Sequence, residues 1–162
     1  MAVFSGQLAV KIAVGFETHR YFASKNPKLH QPKLLQMYKP NDYNSLSPYL
    51  IVNGAQRLAD LLIVIFNGKE LRKYNRADGT VMHMEVLIDD SVVMISDATA
   101  DYPGQKTMLH LYVPDVDKSF KLAIENGCEL IEEPVNKSGD PDKRGSFYDF
   151  AGNYWAVSTQ IE

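Results

Sequence analysis

An internal repeat is the feature that most restricts the fold of this chain. The segment MLHLYVPDVDKSFKLAIENGCEL covers residues 108–130, and YLIVNGAQRLADLLIVIFNGKEL covers residues 49–71. Each segment reads as a strand, a helix, an Asn-Gly pair, one variable residue and then Glu-Leu. Repetition on this scale indicates that one structural unit is used twice. The sequence therefore predicts two similar modules, each of which begins with a strand followed by a helix.

Hydrophobic periodicity and turn residues predict the remaining elements. The first helix has its apolar residues at spacings of three and four, which is typical of a helix that faces a core. Asp89-Asp90 reads as a two-residue hairpin loop. Two predicted strands begin at residue 49 and at residue 128, and the other predicted strands cover 69–74, 81–88, 91–97, 108–113, 146–148 and 154–160. The predicted helices cover 55–66 and 115–126. A loop is predicted at 134–144. Since each module has the order βαβββ, the predicted class is α+β.

Composition and charge argue against several classes of partner. The formal net charge of −3 gives no electrostatic reason to expect nucleic acid or an anionic membrane as a partner. No apolar run reaches the roughly 20 residues of a membrane span. The one cysteine, Cys128, cannot form an intrachain disulfide and is expected to be a small buried thiol. We expect a cytoplasmic protein, with an organelle-targeting role for residues 1–37 as the open alternative.

Four segments carry a resemblance to a known family. They are SPYLIVNGA at 47–55, DGTVMHMEVLIDDSVVMISD at 78–97, LHLYVPDVD at 109–117 and YDFAGNYWAVST at 148–159. These segments resemble the vicinal oxygen chelate superfamily, which has the glyoxalase/bleomycin-resistance/dioxygenase fold, and most closely its PhnB-like branch. The resemblance implies two βαβββ modules whose curled mixed sheets surround a shared cavity, with helices on the outer face and often with completion in a homodimer.

The same resemblance defines the expected domain limits. It covers residues 38–162 as one glyoxalase-like domain, with modules at 38–97 and 107–162. Residues 1–37 lie outside it and form an N-terminal extension of uncertain order.

The resemblance also identifies where metal-dependent members of the superfamily carry their ligands. Those proteins place a His, Glu or Gln on the first and on the last strand of each module. The matching positions here are Ser47 or Tyr49, Met94, Met108 and Ala156. A divalent metal needs three or four nitrogen or oxygen donors, which these side chains do not supply. The resemblance therefore implies neither a metal nor another cofactor, and it makes glyoxalase I or extradiol dioxygenase activity an unexpected outcome.

Strand alternation enlarges the set of candidate cavity residues. The hairpin pairs Glu85 with Met94 and His83 with Ser96, and cross-strand partners share one face of a sheet. Alternation along the other strands adds further residues to the same face. The complete candidate ligand-binding set is Tyr49, Met94, Ser96, Met108, Tyr112, Tyr154 and Ala156, and the candidate catalytic set is Glu85, His83 and His110.

These residues are compatible with three functions. The first is a protein that binds a small organic ligand in the cavity. The second is a lyase or oxygenase-type enzyme in which Glu85 or His83 is a general base, or in which His83, Glu85 and His110 form a metal site outside the usual pattern. The third is a dimeric scaffold with an occluded cavity, in which His83 and Glu85 fill a polar patch. Lys143 and Arg144 either hold an anionic ligand or belong to a solvated charged loop.

Overall fold

A computed structural model of the chain describes residues 38–41 and 43–161. The predicted extension at residues 1–37 lies outside the described residues. The elements are β1 Tyr49–Val52, α1 Ala55–Phe66, β2 Lys69–Asn75, β3 Val81–Ile88, β4 Ser91–Asp97, β5 Met108–Tyr112, α2 Val116–Glu125, β6 Glu129–Asn136, β7 Asp142–Tyr148 and β8 Tyr154–Gln160. Neither α1 nor α2 has the length and hydropathy needed to cross a membrane.

Each module forms one four-stranded mixed sheet. Sheet A has the strand order β1-β4-β3-β2, and sheet B has the corresponding order β5-β8-β7-β6. In both sheets the first strand of the module lies parallel to the last, and the remaining pairs are antiparallel. The two sheets do not close into a barrel within the described part of the chain. The internal repeat and the α+β class are therefore confirmed.

One stretch of the predicted secondary structure is wrong. The loop expected at residues 134–144 is confined to residues 137–141, because β6 continues to Asn136 and β7 begins at Asp142. Asn136 pairs with Lys143, so these polar residues take part in the antiparallel ladder between β6 and β7. These strand residues are polar, so the sequence shows no hydrophobic alternation there. The strand forms because it pairs with its neighbour. The predicted hairpin register is confirmed as far as the pair of Glu85 with Met94, whereas the ladder ends at Met84 and Ile95 and does not include the predicted pair of His83 with Ser96.

Asp97 connects the start of α1 to sheet A. Its Oδ1 accepts hydrogen bonds from the backbone N–H groups of Gly54 and Ala55, both at 2.9 Å, and its Oδ2 accepts one from Val81 at 2.7 Å. Burial raises the pKa of the Asp97 carboxyl, but these backbone donors lower it by more, so it lies below its ordinary value. Gly54 has a φ of 96°, a left-handed conformation that glycine adopts without steric cost.

Each helix covers one face of its own sheet and builds the hydrophobic core there. Leu62 of α1 is buried, and Phe120 of α2 lies edge-on to Phe147 with ring centroids 6.3 Å apart. Trp155 is on the helix side of sheet B, and its Nε1 donates to Asp149 at 2.9 Å. The helix sides of both sheets contribute to one buried cluster, and the main contact between the modules is between α1 and α2.

The opposite face of each sheet, away from its helix, is called its distal face. Strand alternation and register assign the side chains to these faces. Distal face A carries Tyr49, His83, Glu85, Met94 and Ser96, and distal face B carries Met108, His110, Tyr112, Asp142, Arg144, Ser146, Tyr148, Tyr154, Ala156 and Ser158. Strand alternation predicts a core position for Met82, but its side chain is 50% exposed because a bulge in the β2–β3 ladder gives the core position to Val81.

Candidate functional site

A chain of hydrogen bonds crosses distal face A and centres on Glu85. Its Oε1 lies 3.0 Å from Nε2 of His83. The hydroxyl of Tyr43 donates to Oε2, and Nε of Arg72 lies 3.5 Å from the same oxygen. On the other side of the imidazole, Nδ1 of His83 lies 3.2 Å from the hydroxyl of Tyr49. The five side chains therefore form one connected polar network.

Glu85 is held as a carboxylate although its side chain is only 4% exposed. Burial raises the pKa of Glu85, but hydrogen bonds from Tyr43 and His83 and the charge of Arg72 lower it by more, so the pKa lies below its ordinary value. Burial, followed by the hydrogen bond to Glu85, raises the pKa of the Tyr43 phenol. At neutral pH the network thus combines a buried carboxylate with a protonated phenol.

The position of Glu85 selects one tautomer of neutral His83. A neutral imidazole has one N–H donor and one acceptor nitrogen. Because the carboxylate of Glu85 only accepts, Nε2 carries the proton, and Nδ1 accepts from the hydroxyl of Tyr49. Tyr49 is 46% exposed, so its oxygen is the accessible end of the network. This arrangement can hold a polar group of a ligand, and it can pass a proton through the imidazole.

Distal face B is an aromatic surface. The rings of His110 and Tyr112 have centroids 5.1 Å apart, and those of Tyr148 and Tyr154 meet edge-on at 5.7 Å. Met108 is 76% exposed and Tyr112 is 60% exposed. Tyrosine rings combine a large apolar area with a polar tip, which suits them to binding planar organic groups. The chemistry of this face therefore differs from the polar network on distal face A.

The structure brings the predicted site residues together in two groups rather than one. Tyr49, His83, Glu85, Met94 and Ser96 lie on distal face A, and Met108, His110, Tyr112, Tyr154 and Ala156 lie on distal face B. Within the described part of the chain, no hydrogen bond, ion pair or ring contact joins the two groups. The candidate catalytic set is divided as well, because His110 lies on the other sheet from His83 and Glu85.

The positions that match metal ligands of the superfamily are also found on the distal faces. Tyr49 pairs with Met94 across β1 and β4, whereas Ser47 precedes β1. In the second module His110 pairs with Ala156. Among residues 38–41 and 43–161, no three His, Cys, Asp or Glu side chains are placed so that they could hold a metal ion.

Sequence reasoning missed several residues of the two faces. Tyr43 precedes β1 in a segment without regular structure, where no periodic pattern indicates the direction of a side chain. Arg72 is the β2 partner of the buried glutamate, and the register of β2 against β3 would have identified it. Arg144 was not assigned to distal face B, since β7 was expected to begin four residues later than it does, and Ser146, at the start of the expected strand, was given no face. Strand alternation already places Ser158 on the face of Ala156.

Two other features lie mostly outside the predicted site. A groove of about 1060 Å³ lies beside the end of α1 and the start of α2, and Tyr112 is the one predicted site residue on its described walls. Cys128 is buried as expected, and burial, followed by the nearby Asp149, raises the pKa of its thiol to about 11. A thiol with so little thiolate is a poor nucleophile.

Comparisons with known proteins identify relatives without an assigned function. No protein-family model matches the chain. The uncharacterised protein Mb0911c of Mycobacterium bovis is 27% identical over 128 residues, which is 72% of this chain and 84% of that protein. The uncharacterised protein Rv0887c of Mycobacterium tuberculosis (strain H37Rv) has the same identity over 75% of its own length.

Several solved structures resemble the described fold. TioX from Micromonospora sp. ML1 is 19% identical and matches 72% of this chain and 95% of its own with a TM-score of 0.59. The fosfomycin resistance protein FosX from Listeria monocytogenes is 18% identical over 72% and 93% of the two chains, with a TM-score of 0.57. The antibiotic binding protein TnmS3 from Streptomyces sp. CB03234 is 18% identical over 72% and 98%, with a TM-score of 0.55. These structures belong to the vicinal oxygen chelate superfamily, so the chain has the fold that its sequence resemblance implies.

Proposed function

We propose that the protein binds a small organic ligand between distal face A of one copy and distal face B of a second copy, in a homodimer. The observation that carries this proposal is the division of the predicted site into two half-sites. Distal face A supplies the polar network around Glu85, and distal face B supplies the aromatic rings. Apolar walls with a few well-placed polar groups are the usual composition of a small-molecule site.

The exposure of large side chains on the distal faces supports a second copy as the partner. Tyr49, Met108 and Tyr112 are 46%, 76% and 60% exposed, and groups of exposed apolar side chains mark interaction surfaces. A twofold dimer places face A of each copy against face B of the other, so two complete sites arise from one kind of chain. We propose the homodimer because a second copy of the chain supplies distal face B for face A and distal face A for face B, without another kind of protein.

The comparisons support a small molecule as the ligand. TnmS3 is described as an antibiotic binding protein and FosX as a fosfomycin resistance protein, and both have the present fold. The side chains at the usual ligand positions, Ser47 or Tyr49 together with Met94, Met108 and Ala156, support binding without a metal or other cofactor. We also propose that the chain belongs to the PhnB-like branch and forms a single domain at residues 38–162, because the resembling sequence segments lie in that range. A cytoplasmic location is part of the same proposal, and the single cysteine supports it.

A compound screen by thermal unfolding, together with sedimentation analysis, tests the proposed function. A ligand that binds only the folded protein raises the melting temperature according to its occupancy. We expect sedimentation analysis to show a dimer. We expect the same ligands to raise the melting temperature whether divalent ions or a chelator are present. Tyr112→Ala should weaken binding, whereas the control Tyr102→Ala should not, because Tyr102 is 68% exposed and lies off both distal faces. A monomer that no compound stabilises, or a stoichiometric metal, would contradict the proposal.

An enzyme of the same fold is the second candidate, and the Glu85–His83–Tyr49 chain favours it. A general base works best with a pKa near the operating pH, whereas Glu85 has its pKa lowered. In such an enzyme Glu85 would orient His83, and His83 or Tyr49 would contact the substrate. Glu85→Gln should abolish turnover if Glu85 is the general base, and it should leave ligand affinity nearly unchanged if Glu85 only lines the wall of the site. A dimer with an occluded cavity would show neither turnover nor ligand binding.

A further inference from the structure

Three polar atoms on distal face B are buried without a partner. Ser146 is 2% exposed and Ser158 is 0% exposed. The Oγ atoms of both serines and Nε of Arg144 have no hydrogen-bond partner in the described part of the chain. Buried polar atoms in folded proteins are nearly always hydrogen-bonded, because leaving them unpaired costs stability. Three such atoms on one face point to a bound group as their partner.

The strand register places these three side chains next to each other. Arg144 is the partner of Ser158 across β7 and β8, and Tyr112 is the partner of Ser158 on its other side. Ser146 follows Arg144 by two residues, so it projects from the same face. Side chains directly opposite one another have Cβ atoms about 5 Å apart. The unpaired atoms thus occupy a small area beside an exposed aromatic ring.

Asp140 holds the guanidinium of Arg144 in place. Its Oδ2 accepts from Nη2 of Arg144 at 2.6 Å, and its Oδ1 accepts from the backbone N–H of Asp142 at 3.0 Å. Arginine remains protonated in proteins, so its Nε always carries a hydrogen. Because the ion pair uses the outer part of the guanidinium, the buried Nε–H remains as a fixed donor.

The charges around this cluster favour an uncharged acceptor. Arg144 has one formal positive charge, and Asp140 and Asp142 together have two formal negative charges. Asp142 is 6% exposed and accepts from the hydroxyl of Tyr112 at 2.7 Å. The net negative charge repels a carboxylate or a phosphate. An uncharged carbonyl oxygen has two lone pairs and accepts from the Nε–H and a serine hydroxyl without this repulsion.

We propose that Arg144, Ser146 and Ser158 form a subsite that hydrogen-bonds an uncharged carbonyl oxygen of an aromatic ligand. The ring of that ligand lies against Tyr112 and its aromatic neighbours on distal face B. This inference rests on the proposed ligand-binding function and specifies its ligand class. Lys143, the residue beside Arg144, takes no part, because its Nζ lies 2.6 Å from Asp117 on the helix side of the sheet.

Two matched probes, benzamide and benzoate, test the subsite in the full chain. They share one ring and differ in whether the carbonyl group is charged. We expect benzamide to shift the NMR signal of the Arg144 Nε–H in a saturable manner and to bind several-fold more tightly than benzoate. In calorimetric titrations, Arg144→Gln should weaken benzamide binding by roughly 10-fold or more, and Ser158→Ala by roughly 2- to 10-fold. Lys143→Gln removes the same charge from the other face and should leave the affinity unchanged.

The outcomes separate this inference from the proposed function. Tighter binding of benzoate, equal effects of Arg144→Gln and Lys143→Gln, or no response of the Arg144 signal to either probe would overturn the subsite. Ligands found in the compound screen would still support the proposed function in each case. A measurement on the free protein provides a further check, because replacing an unpaired buried hydroxyl should leave the melting temperature of Ser158→Ala equal to or above that of the wild type. A lower melting temperature would show that the hydroxyl already has a partner, which contradicts the subsite.

Discussion

Replacing Glu85 with glutamine should destabilise the protein by about 2–3 kcal/mol. The carboxylate takes part in two charge-assisted hydrogen bonds, with Tyr43 and His83, each worth about 1.5–3 kcal/mol, whereas a neutral amide retains about 0.5–1.5 kcal/mol in each. The contact with Arg72 adds at most about 1 kcal/mol, because that side chain is 47% exposed. At roughly 2–4 °C per kcal/mol for a chain of this size, the melting temperature should fall by about 4–12 °C.

The pH dependence of this effect identifies its cause. The pKa of Glu85 is below its ordinary value in the folded protein, so the ionised group contributes stability above the unfolded pKa of about 4.3. That contribution is lost as the pH falls through the lower folded pKa. The stability difference between wild type and Glu85→Gln should therefore be constant near neutral pH and shrink below about pH 4. Urea unfolding at a series of pH values, followed by the fluorescence of Trp155, measures this difference.

Glu133→Gln is the matched control for this experiment. Glu133 is exposed on β6, so the same loss of charge should leave the free energy of unfolding unchanged. The reasoning about the network is refuted if Glu85→Gln is as stable as the wild type at pH 7. It is equally refuted if the difference between the two proteins does not shrink as the pH falls below about 4, because the stability that comes from the lowered pKa of Glu85 decreases below the unfolded pKa.

Three further predictions concern the framework of the site. Asp149→Ala should lower the free energy of unfolding in urea by about 3–5 kcal/mol and red-shift the fluorescence of Trp155. The reason is that the buried carboxylate accepts from that indole and from nearby backbone N–H groups. An unchanged spectrum would contradict this. Asp97→Ala should lower stability by about 2–4 kcal/mol, since three backbone donors lose their acceptor, and a loss below about 1 kcal/mol would count against that role. Cys128 should resist a thiol reagent at pH 8 in the native protein and react in urea, and rapid native reaction would contradict its burial and raised pKa.

Local sequence signals predict most of the fold because the hydrophobic pattern and the turn residues agree. The Asp89-Asp90 hairpin sets the register of β3 and β4, which places Glu85 opposite Met94 as observed. The prediction fails where tertiary pairing decides the structure. A bulge turns Met82 outward, and β7 begins at Asp142 through pairing of polar residues that have no alternating pattern.

The candidate site is predictable strand by strand but not as a whole. Alternation places Glu85 and His83 on one face, and their hydrogen bond follows from this placement. The partner Tyr43 lies in an irregular segment, so its approach to the carboxylate depends on the three-dimensional path of the chain. Alternation also cannot determine how two sheets are arranged, which is why one predicted cavity corresponds to two separate half-sites. The role of each residue in binding or catalysis stays a prediction.

A cross-link between the two half-sites in different copies tests the central claim most directly. Chains carrying Tyr49→Cys are mixed with chains carrying Met108→Cys and treated with a short bismaleimide; the native Cys128 does not compete because it is buried. Distal face A of one copy should lie against distal face B of the other, so the mixed covalent dimer should form in preference to either homodimer. Tyr102→Cys mixed with Met108→Cys should show no such preference. Absence of the mixed dimer would contradict a ligand site shared between two copies. In a chain that carries both Tyr49→Cys and Met108→Cys, cross-linking only within the single chain would contradict it as well.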